Sequence, residues 1–221
     1  MLRGFFVTGT DTNAGKTVAS AALVYRLRRA APVGYWKPIQ TGIEQDDDTA
    51  EVRRLAECLE DELLEEGIRL PRPVSPHLAA RWSGVRIRLD ELTDLIGSRA
   101  GNRRWIIEGA GGALVPINET ELMTDLMRAL GVPVIVVARS ALGTINHTVL
   151  TMEALRSRSL CIAGVILVGE KNPENRAAIE HYGNIAVLGE MPVLKPLNRS
   201  TLGEWATTEL DPEDRLTELL R

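Results

Sequence analysis

The sequence predicts a single α/β domain over residues 1–221, with a mostly parallel, doubly wound sheet and helices on both faces. Short, almost continuously apolar segments alternate with segments of helical periodicity, as in parallel sheets buried on both faces. A loop rich in glycine and small polar residues joins the first predicted strand to the first predicted helix. The length, with 44% apolar and 25% charged residues, is typical of one globular domain.

This first loop is the most informative motif. Arg3–Thr17 reads RGFFVTGTDTNAGKT, an apolar strand and a loop that ends in Gly15-Lys16-Thr17. That order is typical of a phosphate-binding loop, where backbone N–H groups and the helix dipole attract an anion. Lys16 would reach the β- and γ-phosphates, and Thr17 would bind Mg²⁺. The general pattern requires glycine at position 10, where this chain has Thr10, so a glycine-rich turn without a ligand is the alternative.

The remaining elements follow in alternation. After the first loop the sequence predicts a helix over Val18–Arg29, a strand over Val33–Ile39 and a turn at Gln40–Gly42. The next predicted helix begins at Asp46-Asp47-Asp48 and has Leu59 on its apolar face. Prolines at 71, 73 and 76 exclude a long helix before His77. Further helices are predicted over Leu89–Ile96, Thr120–Leu130, about 144–158, Pro173–His181 and Pro212–Leu220, with strands over Trp105–Ile107, Val132–Val137, Cys161–Val168 and Ile185–Leu188.

Distinctive polar residues follow the ends of predicted strands. Ligands bind at the carboxyl edge of open α/β sheets, so we expect the side chains of Lys16, Thr17, Lys37, Asp48 and Glu108 to converge there. The acids and Thr17 would hold Mg²⁺ while the lysines stabilise a migrating phosphoryl group. No attacking base is evident, which favours an acceptor that is already nucleophilic. The alternative is that these acids are solvated charges at helix and strand ends.

Composition limits the partners. The net charge of −4 gives no reason to expect nucleic acid, and no segment approaches the ~20 apolar residues of a membrane span. The first 30 residues have no secretory signal. Cys58 and Cys161 are interpreted as free, buried thiols, and a cytoplasmic location follows from that interpretation.

Five motifs together resemble one enzyme family. GTDTNAGKT (9–17), KPIQTG (37–42), EGAGG (108–112), LGTINHTVLT (142–151) and GEMP (189–192) are similar, in order and spacing, to dethiobiotin synthetases. The resemblance covers nearly the whole chain and includes the Thr10 that departs from the general loop pattern. It implies a homodimer that uses ATP and Mg²⁺ to join 7,8-diaminopelargonate and CO₂. A substrate amine forms a carbamate, the carbamate attacks the γ-phosphorus, and the second amine closes the ureido ring and releases phosphate.

The resemblance also implies roles for individual residues. Lys37 and Lys16 would be catalytic, Thr17, Asp48 and Glu108 would bind the metal, and Asp46 and Asp47 leave the choice of Asp48 open. The substrate contacts would be Thr12, Thr41 and, from the partner subunit, Gly143, Thr144, Ile145 and Asn146. The nucleotide contacts would be Thr12, Asn13, Ala14, Gly15, Lys16, Thr17, Val18, Asp48, Glu108, Gly109, Ala110, Gly111, Val168, Gly169, Pro192, Val193 and Leu194. For Asn146 a helix-capping role is the alternative.

One departure from the family pattern concerns the nucleobase. Many members have an asparagine after the fifth predicted strand, whereas this chain reads Val168-Gly169-Glu170, which predicts weak base selection. Two alternative functions are a partition-type P-loop ATPase and a nucleotide-binding regulatory module. A partition-type ATPase would need a second lysine early in the loop, where this chain has Asp11-Thr12-Asn13.

Overall fold

Seven parallel strands form the central sheet in the computed structural model, which describes residues 2–220. The strands of the chain are β1 (Arg3–Gly9), β2 (Val33–Trp36), β3 (Ile39–Thr41), β4 (Leu63–Leu64), β5 (Ile68–Leu70), β6 (Arg104–Gly112), β7 (Val134–Ser140), β8 (Ile162–Gly169) and β9 (Val187–Met191). The order in the sheet is β4-β2-β6-β1-β7-β8-β9, and β3 pairs separately with β5. The central position of β1 and β6 places the glycine-rich loop at the middle of the carboxyl edge.

Helices cover both faces of this sheet. They are α1 (Lys16–Leu27), α2 (Asp48–Ala56), α3 (Pro76–Trp82), α4 (Leu89–Arg99), α5 (Met123–Leu130), α6 (Thr144–Arg156), α7 (Pro173–Gly183), α8 (Arg199–Thr208) and α9 (Arg215–Leu219). Side chains alternate along a strand, so Phe5 and Val7 pack on the face with α1, α2 and α8, and Phe6 packs on the face with α4 to α7. The two apolar clusters confirm the predicted doubly wound α/β fold.

The predicted strand over Val33–Ile39 is wrong in its extent. β2 ends at Trp36, and the chain leaves the sheet at Lys37-Pro38 before β3 begins. Proline has no N–H to continue a ladder, and Arg69 Nη1 donates to the Lys37 carbonyl at 2.9 Å. Residues 40 and 41 therefore belong to a strand rather than to a turn, and the turn begins at Gly42, whose φ is 72°.

Two further predictions need correction near α2 and β6. Leu59 does not share the apolar face of α2, because Glu57 ends that helix in the left-handed conformation and Leu59 is 67% exposed. The predicted strand over Trp105–Ile107 is too short, because Glu108–Gly112 continues β6. The strand pairs there with β1 on one side, so the carboxylate lies inside the sheet edge rather than beyond it.

The carboxyl-terminal region was predicted least well. A helix over Pro212–Leu220 was expected, but α9 spans only Arg215–Leu219, and the longer α8 before it was missed. The signal for α8 was present: Asn198 caps its first turn by accepting from the Thr201 N–H at 3.1 Å, and buried residues follow at 202, 205 and 206.

Both cysteines are free thiols, as predicted, but the prediction that they are buried is wrong. Cys58 is half-buried and follows α2, whereas Cys161 is exposed and precedes β8. Burial, partly offset by Arg28, raises the pKa of the Cys58 thiol to about 11. None of the helices within residues 2–220 is long and apolar enough to cross a membrane.

Candidate active site

The loop between β1 and α1 has the geometry of a phosphate-binding loop despite the threonine at position 10. Gly15 is the N-cap of α1 with a φ of 97°, and a Cβ atom there would lie 3.0 Å from the Val168 side chain. A Cβ atom on Gly9 would lie 3.1 Å from Lys16 Nζ. Glycine is therefore required at both positions: at position 9 a Cβ atom would also lie 2.8 Å from the Asp11 carbonyl, and at position 15 the backbone conformation favours glycine.

Lys16 lies almost completely buried within this loop. Its Nζ donates to the Asp11 carbonyl at 3.1 Å, and the Asp11 carboxylate lies 3.1 Å from Arg139 and accepts from the Thr12 N–H at 2.7 Å. Burial and repulsion by Lys37 lower the pKa of Lys16 to about 8. The ammonium group thus lies in a place where an anionic ligand would restore the charge stabilisation that burial removes.

The other four residues that were expected to converge form one hydrogen-bonded cluster. Lys37 Nζ lies 2.7 Å from Asp48 Oδ2, 2.9 Å from Glu108 Oε1 and 3.0 Å from the Gly109 carbonyl. Thr17 Oγ1 is within hydrogen-bond distance of Asp48 Oδ1, at 2.8 Å, and of Glu108 Oε1, at 3.0 Å. Residues from β1–α1, β2–β3, α2 and β6 therefore meet at one point of the sheet edge.

Charge balance within this cluster favours ionised groups. Burial alone lowers the pKa of Lys37, but attraction to Glu108 and Asp48 outweighs burial, and the pKa lies above its usual value. Burial alone raises the pKa of Asp48, but attraction to Lys37 and its hydrogen bonds outweigh burial, and the pKa lies below its usual value. A buried pair of this kind is retained where its partners satisfy each other with good geometry.

The structure also distinguishes among the three consecutive acids. Asp46 and Asp47 are exposed, and Asp47 Oδ1 caps α2 by accepting from the Ala50 N–H at 3.0 Å. Only Asp48 turns its carboxylate to Thr17 and Lys37. Residue 48 is thus the acid of this segment that reaches the cluster.

Two polar side chains of the site were missed by sequence reasoning. Tyr35 is fully buried and its O–H donates to Glu108 Oε2 at 3.0 Å; burial and the nearby carboxylates raise its pKa well above the usual value. Gln40 Nε2 donates to the Thr41 and Asp46 carbonyls, at 3.0 and 3.1 Å, and holds the loop before Asp48. A hydroxyl-bearing residue two positions before Lys37 on a buried strand was the available signal for Tyr35.

A cavity of about 690 Å³ opens beside the cluster. It is lined by twelve of the predicted residues, namely Thr12, Asn13, Gly15, Lys16, Thr17, Val18, Lys37, Thr41, Asp48, Glu108, Ala110 and Gly111. Its other walls were not predicted and are formed by Gln40, Gly42, Gln45, Asp46, Pro73, Val74, Ser75, Pro76 and Val115. The region 61–88, which the sequence left unassigned, thus supplies one wall through residues 73–76.

The remaining predicted residues lie outside this lining. Ala14 is buried within the loop, and Gly109 contributes its carbonyl to Lys37. The proposed nucleobase contacts lie at the end of β8, where Val168 packs near Gly15, and after β9: Val168, Gly169, Pro192, Val193 and Leu194.

The segment Gly143–Asn146 begins α6 and does not line the cavity of its own subunit. Gly143 is the N-cap with a φ of 92°, and Asn146 is exposed in the first turn. The interpretation of Asn146 as the helix cap is therefore wrong.

The donor set is compatible with Mg²⁺. Thr17, Asp48 and Glu108 offer one hydroxyl and two carboxylates, and Mg²⁺ prefers oxygen ligands, with one or two carboxylates and substrate phosphates as a common set. Among residues 2–220 there is no group of three or more His, Cys, Asp and Glu side chains arranged to hold a metal by themselves. Nucleotide oxygens would complete the ligands of a metal held by Thr17, Asp48 and Glu108.

The fold and the site define a P-loop nucleotide-binding protein. A family model described as an AAA domain matches residues 3–201. Two solved structures share the fold. A ParA family ATPase from Chlorobium tepidum has a TM-score of 0.60 and 11% identity, and the match covers 93% of this chain and 98% of that one. The septum site-determining protein MinD from Pyrococcus horikoshii has a TM-score of 0.58 and 18% identity, and the match covers 100% of this chain and 95% of that one.

Curated relatives identify the particular family. The chain is 47% identical, over 91% of its length and 93% of the relative's, to the ATP-dependent dethiobiotin synthetase BioD of Paramagnetospirillum magneticum. It is 46% identical over 89% of both chains to the protein of the same name from Brucella ovis. The chain belongs to the ATP-dependent dethiobiotin synthetase family.

Proposed function

We propose that this chain is an ATP-dependent cyclo-ligase of biotin biosynthesis, which converts 7,8-diaminopelargonate and CO₂ to dethiobiotin and releases ADP and phosphate. The observation that supports this most is the cluster of Thr17, Lys37, Asp48 and Glu108 beside the phosphate-binding loop, in a chain of the dethiobiotin synthetase family. Such a cluster combines anionic metal ligands with a buried cation, which is the equipment of phosphoryl transfer.

The proposed reaction uses the two lysines differently. The loop amides and Lys16 hold the β- and γ-phosphates, and Lys37 stabilises the negative charge that develops on the transferring phosphoryl group. Thr17, Asp48 and Glu108 hold Mg²⁺, which neutralises phosphate charge when it is bound. The attacking group is a carbamate oxygen formed from one substrate amine and CO₂. It is already anionic, so the site needs no base to activate it.

The cavity accounts for the second substrate. Its lining includes the hydroxyl-bearing residues Thr12 and Thr41 and the apolar residues Pro73, Val74 and Val115. A diamine with a long alkyl chain needs both kinds of surface, hydroxyls near the nitrogens and apolar contacts along the methylenes. We assign the diamine and its carbamate to this space, with their reacting end towards the phosphate loop.

We further propose a homodimer in which α6 completes the site of its partner. Leu142 is fully exposed immediately before α6, Leu150 on α6 is 54% exposed, and Leu114 is 47% exposed. A protein interface would remove such exposed apolar side chains from water. The first turn of α6 (Gly143, Thr144, Ile145 and Asn146) has no side-chain cap. Its N–H groups, apart from that of Thr144, which donates to the Ala141 carbonyl at 3.0 Å, would bind the substrate carboxylate.

Replacing Leu142 with aspartate is expected to shift the protein from dimer to monomer. Sedimentation velocity over a range of protein concentrations measures this shift. Leu59→Asp is the matched control, because Leu59 is also exposed but follows α2 on the other face of the sheet, and this variant should remain dimeric. An unchanged dimer in Leu142→Asp would exclude the proposed interface.

Nucleobase selection is expected to be weak. The asparagine nearest to Gly169 in the chain, Asn172, is occupied as the N-cap of α7, where its side chain accepts from the Asn175 N–H at 3.0 Å. Without a side chain that reads the base edge, ATP should be preferred over GTP and CTP by less than about 100-fold in kcat/KM. A nucleotide panel measures this ratio, and a larger preference would show that other groups read the base.

The test of the function is phosphate release from ATP and Mg²⁺ with and without 7,8-diaminopelargonate and bicarbonate, with detection of dethiobiotin by mass spectrometry. We expect release only when both substrates are present. Nucleotide binding without substrate-dependent release would favour a regulatory module instead, and release that depends on neither substrate would favour a partition-type ATPase. A cytoplasmic location agrees with the use of ATP and with two free thiols.

A further inference from the structure

We propose that Tyr35 is a positioning residue that orients the Glu108 carboxylate for the metal–ATP complex. This inference rests on the proposed role of Glu108 as a metal ligand. Tyr35 lies on β2, the strand adjacent to β6, and is fully buried. Its phenol donates a hydrogen bond to Glu108 Oε2 at 3.0 Å.

The two oxygens of Glu108 have different partners. Oε1 is shared by Thr17 and Lys37, at 3.0 and 2.9 Å, and Oε2 accepts from Tyr35. Glu108 is fully buried, so water does not compete for Oε2. The phenol therefore fixes the rotation of the carboxylate and keeps Oε1 directed at Thr17 and Lys37.

Strand register explains why residue 35 reaches residue 108. Tyr35 pairs with Ile106 in the parallel β2–β6 ladder, and Glu108 lies two residues further along β6. Side chains two residues apart on a strand share a face of the sheet, and the diagonal distance is within reach of an aromatic side chain. Tyr35 and Ile106 both pack on the face covered by α1, the helix that begins at the phosphate loop and includes Thr17.

Loss of the hydroxyl would leave a buried carboxylate oxygen without a donor. Oε2 can then exchange places with Oε1 as the acceptor for Thr17 and Lys37, so the carboxylate has no single orientation fixed for a metal. Removal of an outer partner of a metal ligand typically weakens metal affinity by ~10–100-fold. We therefore expect Tyr35→Phe to weaken metal binding while the phenyl ring preserves the packing on the sheet.

The test is titration of Mn²⁺ by electron paramagnetic resonance in the presence of a non-hydrolysable ATP analogue. Tyr35→Phe should bind Mn²⁺ at least ~10-fold more weakly than the unaltered protein and should need correspondingly more Mg²⁺ for half-maximal turnover, with kcat at saturating Mg²⁺ less affected. Tyr25→Phe is the matched control: Tyr25 lies on α1 with its ring against Gly203, and this variant should bind Mn²⁺ normally.

A double-mutant cycle with Glu108→Gln tests whether Tyr35 acts through Glu108. In the Glu108→Gln background, loss of the Tyr35 hydroxyl should add little to the loss of Mn²⁺ affinity, whereas additive losses would contradict the inference. If Tyr35→Phe does not fold, 3-fluorotyrosine at position 35 provides a fluorine resonance. It should shift on Glu108→Gln and on addition of Mg²⁺ with the analogue, and a resonance that responds to neither would overturn the inference.

The outcomes separate this inference from the proposed function. Normal Mn²⁺ binding and normal Mg²⁺ dependence in Tyr35→Phe, in a protein that makes dethiobiotin, would overturn the role of Tyr35 alone. An unaltered protein that binds no Mn²⁺ with the ATP analogue and makes no dethiobiotin would overturn both.

Discussion

Replacing Lys37 with alanine is expected to abolish turnover and to leave most of the nucleotide affinity. The Lys37 side chain is 3% exposed, and its ammonium group lies between Asp48 and Glu108. Loss of a preorganised charge at the transferring group costs ~100- to 1,000-fold in kcat, and we expect the upper end of that range or beyond because no other lysine lies in the cluster. The loop amides and Lys16 remain to bind phosphate, so the Kd for ATP should change far less than kcat.

The measurements for this variant are kcat from substrate-dependent phosphate release and the ATP Kd from calorimetry. Arg28→Ala is the matched control, since it too removes a cation from a close ion pair. Arg28 is half-buried and bonds Glu62 at 2.6 and 2.7 Å, away from the residues that line the cavity. It should lower stability without lowering kcat. Full activity in Lys37→Ala would exclude Lys37 from catalysis.

Replacing Lys16 with alanine is expected to act mainly on nucleotide affinity. The Lys16 ammonium lies within the loop, and phosphate oxygens would replace the Asp11 carbonyl as its partner. Charge-assisted hydrogen bonds contribute ~1.5–3 kcal/mol each, so the loss of two should weaken ATP binding by ~100-fold or more. Calorimetry measures the effect, and Arg128→Ala, which removes an exposed cation on α5, should bind ATP normally.

A pH series gives Lys16 an independent signature. Burial and Lys37 lower its pKa to about 8 in the nucleotide-free protein, so above that pH a proton must be taken up before the lysine pairs with phosphate. ATP affinity should therefore fall as the pH rises through about 8 in the unaltered protein and should fall less in Lys16→Ala. Equal slopes in the two proteins would contradict this assignment.

Much of the site could be predicted because its residues are fixed by local chain geometry. Gly15, Lys16 and Thr17 stand where a strand meets a helix, and that context determines the direction of the helix dipole and of the free amides. Glu108 and Lys37 stand near the ends of apolar strands, which lie at one edge of any parallel sheet. The convergence of these side chains therefore follows from their positions along the chain.

The residues that were missed depend on neighbours remote in the chain. Tyr35 and Glu108 are 73 residues apart in the sequence, and they meet only through the register of β2 and β6. Residues 73–76 face the cavity only because β3 leaves the main sheet to pair with β5. The choice of Asp48 over its two acidic neighbours required the orientation of α2, which Asp47 caps.

The sequence by itself determined the α/β class, the phosphate-binding loop and four residues at the centre of the site, Lys16, Thr17, Lys37 and Glu108, because periodicity and motif order are properties of consecutive residues. Only the tertiary structure decided which oxygen of Glu108 each partner holds, that Lys37 lies between two carboxylates, and that β2 breaks at Lys37-Pro38. The physical reason is that hydrogen-bond partners and buried charges depend on distances across the sheet, which a linear sequence does not specify.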